Sequence, residues 1–283
     1  EGKSLTGDGD QVSGYGFQVT DYEFSTQNLP PRSPTPEPRP PSSYTPKHLA
    51  ERIRAEQAAM AARGATDGER KTITALFADI KGSTALIEEL DPEEARRIVD
   101  PALHLMMEAV HRYEGYVAQS LGDGIFAFFG APIAHEDHAQ RALYAALRMQ
   151  ESMKRYSDQL RLEKGVPLQI RVGINTGEVV VRAVSTDDLH TDYIPVGHST
   201  NIAARMENLA TPGSIIISEH THKLVDGYFD CLPLGAAAVK GLSEPLPIYE
   251  VRGLGPLQTR LQVSAKRGFS PFVGRQHELA QMQ

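Results

Sequence analysis

Cysteine is nearly absent from the 283-residue sequence, in which Cys231 is the only one. A single thiol excludes an internal disulfide and a cysteine-based metal site, and the apolar neighbours of Cys231 favour a packing role. Long apolar runs are lacking too, as are the basic and apolar blocks of a signal peptide at the start of the chain. We therefore expect a cytoplasmic protein with no membrane contact.

Basic runs are also missing, and the formal net charge is -7. A general nucleic-acid-binding protein needs a basic surface to contact phosphates, so this charge argues against nucleic acid as a partner. What the chain does have is 40% hydrophobic residues, which is enough to fill the core of an enzyme-sized domain.

Proline content divides the chain into predicted parts. Residues 30–41 read PPRSPTPEPRPP, and proline at this density removes backbone donors and favours extended chain, so residues 1–45 are predicted to be a disordered Pro-rich linker. Good helix formers over residues 46–68 predict a connector helix. Residues 69–252 carry the helix and strand patterns of a folded domain, and residues 253–283 are predicted to be a linker that starts a further module.

One stretch, from Ile73 to Thr84, organises the folded domain. It starts as an apolar run of the kind that forms a strand buried on both faces, and it delivers Asp79 where the run ends. The following Lys-Gly-Ser-Thr combines a turn residue with helix-capping hydroxyls, so we expect a helix N-terminus beside this carboxylate. Such a site suits a divalent cation and the phosphates it carries. An aspartate that only ends a strand or caps a helix is the alternative.

A second acidic turn comes at Gly122-Asp123-Gly124, between strands predicted over 116–121 and 125–129. We expect a tight hairpin with Asp123 at its tip. Two aspartates brought to one point could bind two divalent ions, which suits nucleotide chemistry by in-line displacement. The pattern alone also fits a polymerase-like palm domain or a structural pair of acidic turns.

The whole pattern of helices and strands predicts an α+β sandwich, with a mostly antiparallel sheet and helices packed on one face. Pro101 is expected to break or kink the helix that begins after Asp91. The stretch 175–177, Asn-Thr-Gly, is expected to turn one strand into the next.

Several segments, in this order, resemble the motifs of class III adenylyl/guanylyl cyclase catalytic domains: FADIKGST at 77–84, LGDG at 121–124, RVGINTG at 171–177 and GHSTNIAAR at 197–205. The resemblance covers about residues 69–252 and implies the ferredoxin-like βαββαβ sandwich of that family. It also implies a lyase that makes a 3′,5′-cyclic nucleotide and pyrophosphate, in a head-to-tail homodimer whose active sites are shared between chains. ATP is the expected substrate and cyclic AMP the expected product.

The same resemblance implies roles for individual residues. Asp79 and Asp123 of one chain would hold two Mg²⁺ or Mn²⁺ ions, one lowering the pKa of the ribose 3′-hydroxyl and the other holding the triphosphate. The partner chain would supply Asn201 to orient the ribose and Arg205 to stabilise charge on the α-phosphate in the transition state. Lys240 matches the position that contacts the triphosphate.

Base recognition is where the sequence departs from the family. Adenylyl cyclases place Lys, and Asp or Thr, at the substrate-binding positions that are Gln119 and Ile194 here, and guanylyl cyclases place Glu and Cys there. Gln119 can bond either purine by turning its amide, whereas Ile194 offers no polar group. Two alternatives stay open: a cyclase of relaxed purine specificity that also uses GTP, and a catalytically weak or inactive module that acts as a dimerisation or regulatory domain. Arg171 is left outside the predicted site, since it could support the sheet edge rather than touch phosphate.

The last residues resemble the entry of AAA-like ATPase modules. The similarity rests on FVGR at 272–275, followed by Glu278-Leu279. The expectation is that the native protein continues into a regulatory ATPase in cis that controls dimer geometry.

Overall fold

The computed structural model describes residues 44–62, 68–82, 90–120, 122–187, 190–239 and 242–257, together with 261–262 and 265. For residues 57, 60, 61, 183–187 and 190–192 only the backbone is described. Several predictions therefore lie outside the described residues: the linker over most of 1–45, the helix start after Gly82, the role of Lys240 and the ATPase-like segment at 272–279.

Helices and strands alternate along the described chain. The helices are α1 (Lys47–Ala62), α2 (Pro92–Arg112), α3 (His138–Lys164), α4 (His198–Leu209) and α5 (Glu219–Val225). The strands are β1 (Glu69–Lys81), β2 (Tyr116–Ser120), β3 (Gly124–Phe129), β4 (Gln169–Asp187), β5 (His190–Val196), β6 (Ile215–Ser218), β7 (Phe229–Ala237) and β8 (Leu246–Leu254).

The strands form one sheet in the order β2-β3-β1-β4-β6-β8-β7, with β5 paired to β4 outside this path. Neighbouring strands are antiparallel except β4 and β6, which are parallel. The central pair, β1 and β4, is in register from Glu69 opposite Val181 to Lys81 opposite Gln169. The α+β architecture with a mostly antiparallel sheet confirms the predicted fold class.

Alternate residues of β1 enter two different cores, because successive strand side chains point to opposite faces. Leu76 and Ile80 lie in the core that α2 and α3 cover. Ile73 lies in the core on the other face, where α1 contributes Leu49 and Ile53. Helix α1 therefore packs against the second face of the sheet, which it covers in part. Among the described helices, none has the length and apolarity that a membrane crossing needs.

The structure corrects two local predictions. Helix α2 starts as expected, with the Asp91 side chain accepting a hydrogen bond from the Glu93 N–H at 3.0 Å, but it continues as one helix through Pro101. The predicted break is therefore wrong, and a kink at Pro101 stays a prediction. Pro101 is exposed, so the carbonyl left unpaired by its missing N–H can bond water.

The second error concerns the stretch 175–177, where β4 continues as a strand instead of turning. Gly177 allows a close approach there, since a Cβ at this position would collide with the Ser199 side chain.

Candidate active site

The two aspartates predicted to bind metal lie side by side at the ends of β1 and β3. Asp79 is opposite Gly124 in the antiparallel ladder, and the Ile80 N–H donates to the Asp123 carbonyl at 3.1 Å. A Cβ at Gly124 would lie 2.6 Å from the Ala78 carbonyl oxygen and 3.1 Å from Asp79 Oδ1. Glycine is therefore needed after Asp123 so that the hairpin can approach the Asp79 carboxylate.

Arg171 and Glu207 lie beside Asp79, and the sequence prediction included neither of them. Arg171 lies opposite Asp79 on β4, and its Nη2 donates to Asp79 Oδ2 at 2.9 Å. The same Nη2 lies 2.7 Å from Oε1 of Glu207, which comes from α4. Because β4 is a central strand of the sheet, the alternative that Arg171 supports a sheet edge is wrong.

The carboxylates of Asp79 and Glu207 are largely buried and lie close to other charged groups. Burial raises the pKa of Asp79 above its ordinary value; the Asp123 charge adds to the rise, whereas Arg171 opposes it. Burial likewise raises the pKa of Glu207; Arg171 opposes the shift and the charges of Asp79 and Asp123 increase it. Burial is the largest cause of both shifts, and a bound cation would favour the charged form of each carboxylate.

Two carboxylates at one point fit a divalent metal site of the open type. No group of three or more Asp, Glu, His or Cys side chains among the described residues forms a ready-made metal cage. Mg²⁺ commonly takes one or two carboxylates and completes its oxygen ligands with phosphates and water. Asp79 and Asp123 match that requirement, with Gly124 leaving the space beside them.

Helix α4 packs directly against the face of β4 that carries Arg171. A Cβ at Gly173 would lie 2.5 Å from the Ala203 carbonyl oxygen and would collide with the backbone N–H of Glu207. This contact turns the predicted catalytic residues away from the sheet: Asn201 is exposed and Arg205 is partly exposed. Among the described residues, the ion pairs and side-chain hydrogen bonds of Asp79, Arg171 and Glu207 include neither of them.

The first turn of α4 is fixed by a buried hydrogen-bond chain. Asn175 on β4 donates from Nδ2 to the Ser199 carbonyl at 2.9 Å, and its Oδ1 accepts from the Ser218 hydroxyl at 2.6 Å. Asn175 and Ser218 are 1% and 0% exposed, so these polar groups depend on each other rather than on water. The backbone around Asn201 is thereby held in place from two strands.

The predicted base-binding residues lie on β2 and β5. A bulge at Ala118 shifts the register so that Gln119 pairs with Phe126 and projects to the Phe126 face of the sheet. The strands meet where the Tyr193 N–H donates to the Tyr116 hydroxyl at 3.4 Å. Ile194 follows Tyr193 on β5, so its side chain points to the opposite face of the strand from Tyr193, and 45% of its surface is exposed. Gln119 is exposed too, so both side chains are open to a ligand or to another chain.

A carboxylate pair lies at the end of neighbouring strands of an α+β sheet, with an arginine beside it, an arrangement whose chemistry suits a cation and the phosphates it carries. The chain belongs to the adenylate and guanylate cyclase catalytic domain family, whose model matches residues 66–253. It is therefore a nucleotide cyclase domain of class III, as the sequence motifs indicated. Members of this family use divalent metal ions.

Individual relatives include cyclases for both purines. The chain is 32% identical over 187 residues to adenylate cyclase 1 of Rhizobium meliloti, a match of 65% of this chain and 28% of that protein. It is similar to the crystal structure of the adenylyl cyclase CyaB from P. aeruginosa, with a TM-score of 0.62 and 35% identity over 67% of this chain and 100% of that one. The guanylyl cyclase Cya2 gives a TM-score of 0.61 and 33% identity over 67% of this chain and 95% of that one.

Because the relatives include both adenylate and guanylate cyclases, they identify a nucleotide cyclase without identifying the purine base of its substrate. The chain spans about a quarter of the length of the curated Rhizobium meliloti relative.

Proposed function

We propose that the domain is an adenylate cyclase that converts ATP to 3′,5′-cyclic AMP and pyrophosphate as a homodimer. The observation that carries this proposal is that the predicted site residues of one chain lie in two separate places. Asp79 lies in a cluster with Arg171 and Glu207, whereas Asn201 is exposed on the outer side of α4. A second copy of the chain, placed head to tail, would bring its own α4 to the carboxylates and complete the site.

In the proposed site, Asp79 and Asp123 would hold two Mg²⁺ or Mn²⁺ ions, whose charge would offset that of the triphosphate and lower the pKa of the ribose 3′-hydroxyl. Asn201 of the partner subunit bonds the ribose and keeps its 3′-oxygen in line with the α-phosphate. Arg205 of the partner subunit donates to the α-phosphate oxygens, where negative charge increases in the transition state. Lys240 contacts the triphosphate.

The surroundings of Arg205 support this role. Its Nη1 is buried and has no hydrogen-bond partner among the described residues. A buried guanidinium donor without an acceptor costs stability, so an acceptor from outside the chain would be favoured there. A phosphate oxygen forms strong, charge-assisted hydrogen bonds of the kind that would satisfy it.

A second candidate, relaxed use of ATP and GTP, is favoured by the base-binding positions. Gln119 can present its carbonyl to the adenine amino group or its amide N–H groups to the guanine carbonyl. Ile194 leaves no polar group unpaired with either base, so it rejects neither. We propose ATP as the main substrate. We also propose that the protein acts in the cytoplasm, where ATP is abundant. A regulatory ATPase in cis is a further proposal.

The test is product formation by the purified chain, given ATP or GTP with Mg²⁺ or Mn²⁺, at several protein concentrations. We expect cyclic AMP, with a specific activity that rises with protein concentration, and no product from Asp123→Ala. Equal amounts of cyclic AMP and cyclic GMP would favour the relaxed enzyme. No product from folded, dimeric protein would contradict the proposal and favour the regulatory module.

A further inference from the structure

Glu207 is a buried carboxylate that no step of the proposed reaction uses. Its side chain is 11% exposed, and it lies on α4 at a point where the helix backbone touches Gly173 of β4. Arg171 is two residues from Gly173 on the same face of that strand. The close packing at Gly173 is therefore what brings the Glu207 carboxylate to the guanidinium.

Arg171 joins two carboxylates of different function through one nitrogen. Its Nη2 donates a hydrogen bond to Asp79 Oδ2 at 2.9 Å and forms an ion pair with Glu207 Oε1 at 2.7 Å, where the geometry is not that of a hydrogen bond. Its Nε is buried and has no hydrogen-bond partner among the described residues. Within the part of the chain that the structure describes, the arginine is thus held by these two carboxylates, and a change at one of them alters its interaction with the other.

The charges of these three residues predict how a change at Glu207 affects Asp79. Arg171 and a bound cation compete for the same Asp79 carboxylate. While Glu207 carries its negative charge, it shares the guanidinium and weakens the hold of Arg171 on Asp79. If Glu207 is made neutral, the whole positive charge of Arg171 falls on Asp79, and a cation must displace a stronger ion pair.

We infer that Glu207 is a positioning residue that acts through Arg171 to keep the Asp79 carboxylate available to a divalent metal ion. The inference rests on the proposed function, because it takes Asp79 as a metal ligand. Glu207 touches neither substrate nor reacting atoms. Substitutions in the groups that surround metal ligands typically weaken metal affinity by about 10–100-fold, so an effect of about tenfold is expected here.

The test is a titration of the full chain with Mn²⁺ alone, in which electron paramagnetic resonance measures the free ion. Glu207→Gln, which keeps the side-chain volume, should raise the Mn²⁺ dissociation constant about tenfold. The matched control is Glu114→Gln, since Glu114 also bridges arginines as a partly buried carboxylate but lies in a cluster with Arg52 and Arg141. This control should lower stability and leave the dissociation constant within about twofold of wild type.

A double-mutant cycle with Arg171→Met distinguishes an effect of Glu207 through the arginine from a direct effect of Glu207 on the metal ion. If Glu207 acts through Arg171, Glu207→Gln should change the dissociation constant by less than about twofold once the arginine is absent. An equal loss in both backgrounds would mean that Glu207 attracts or binds the metal by itself, and would overturn the inference. Unchanged affinity in the single variant would overturn it too.

Asp79→Ala keeps the inference distinct from the proposed function. If wild type binds Mn²⁺ more tightly than Asp79→Ala and Glu207→Gln matches wild type, only the role of Glu207 fails. If wild type and Asp79→Ala bind Mn²⁺ alike, the proposed metal site fails, and the role of Glu207 fails with it.

Discussion

Gly173 offers a sharp test of how α4 is positioned, because the helix backbone lies directly on it. In Gly173→Ala, the new Cβ would lie 2.5 Å from the Ala203 carbonyl oxygen, whereas Cβ contacts under 3.0 Å are essentially never seen. Backbone atoms cannot rotate away as the end of a side chain can. The helix must therefore move off the sheet, by about 1 Å once the collision with Glu207 is included.

Both stability and turnover should respond to that movement. Overpacking of this kind costs about 1–3 kcal/mol of unfolding free energy. Because α4 also carries the proposed catalytic residues, a displacement of about 1 Å should lower turnover by about 100-fold. Urea unfolding measures the first effect, and cyclic nucleotide formation at saturating nucleotide measures the second.

Gly253→Ala is the matched control, since nothing lies within 4 Å of a Cβ added there. It should change the unfolding free energy by no more than about 0.5 kcal/mol and leave turnover unaltered. If Gly173→Ala behaved like this control in both assays, the tight contact between α4 and β4 would be refuted.

Further predictions concern pH, base choice and the start of α4. Burial lowers the pKa of His111 to about 4, so below about pH 6.5 the unfolded chain binds a proton that the folded chain does not. Stability should therefore fall by up to about 3 kcal/mol between pH 6.5 and pH 4, and His111→Leu should reduce this slope in urea titrations by about one proton. Gln119→Lys combined with Ile194→Asp should raise the ATP-to-GTP ratio of kcat/KM at least about tenfold, because the aspartate accepts from the adenine amino group and repels the guanine carbonyl; an unchanged ratio would contradict the assigned base positions. Asn175→Ala removes two buried hydrogen bonds, one to the Ser199 carbonyl and one from the Ser218 hydroxyl, so it should cost about 1–3 kcal/mol in urea unfolding and lower kcat more than it raises KM.

The sequence was informative where one stretch of chain decides the outcome. The apolar run that ends at Asp79 and the glycines around Asp123 predicted the strand end and the hairpin, because both depend on local patterning and turn residues. The segment around Gly177 misled for the same reason. Glycine indicates either a turn or a close approach, and only the position of Ser199 in the fold distinguishes them.

The rest of the site depends on contacts between distant parts of the chain. Arg171 meets Asp79, 92 residues earlier in the chain, only because β1 and β4 pair in one particular register. Alternation placed Arg171 on the polar side of its strand but could not name the residue opposite it. Glu207 gave no signal at all, since a glutamate near the end of a helix is ordinary until the helix is packed against the sheet.

The most direct test of a site shared between two chains is to mix two inactive variants. Asp79→Ala lacks the carboxylate half of the site, and Asn201→Ala lacks the half supplied by α4. In an equal mixture about half of the dimers contain one of each, and each of these has one intact site, so about a quarter of wild-type activity should return. Mixtures that stay inactive, although both variants fold and exchange subunits, would contradict the shared site.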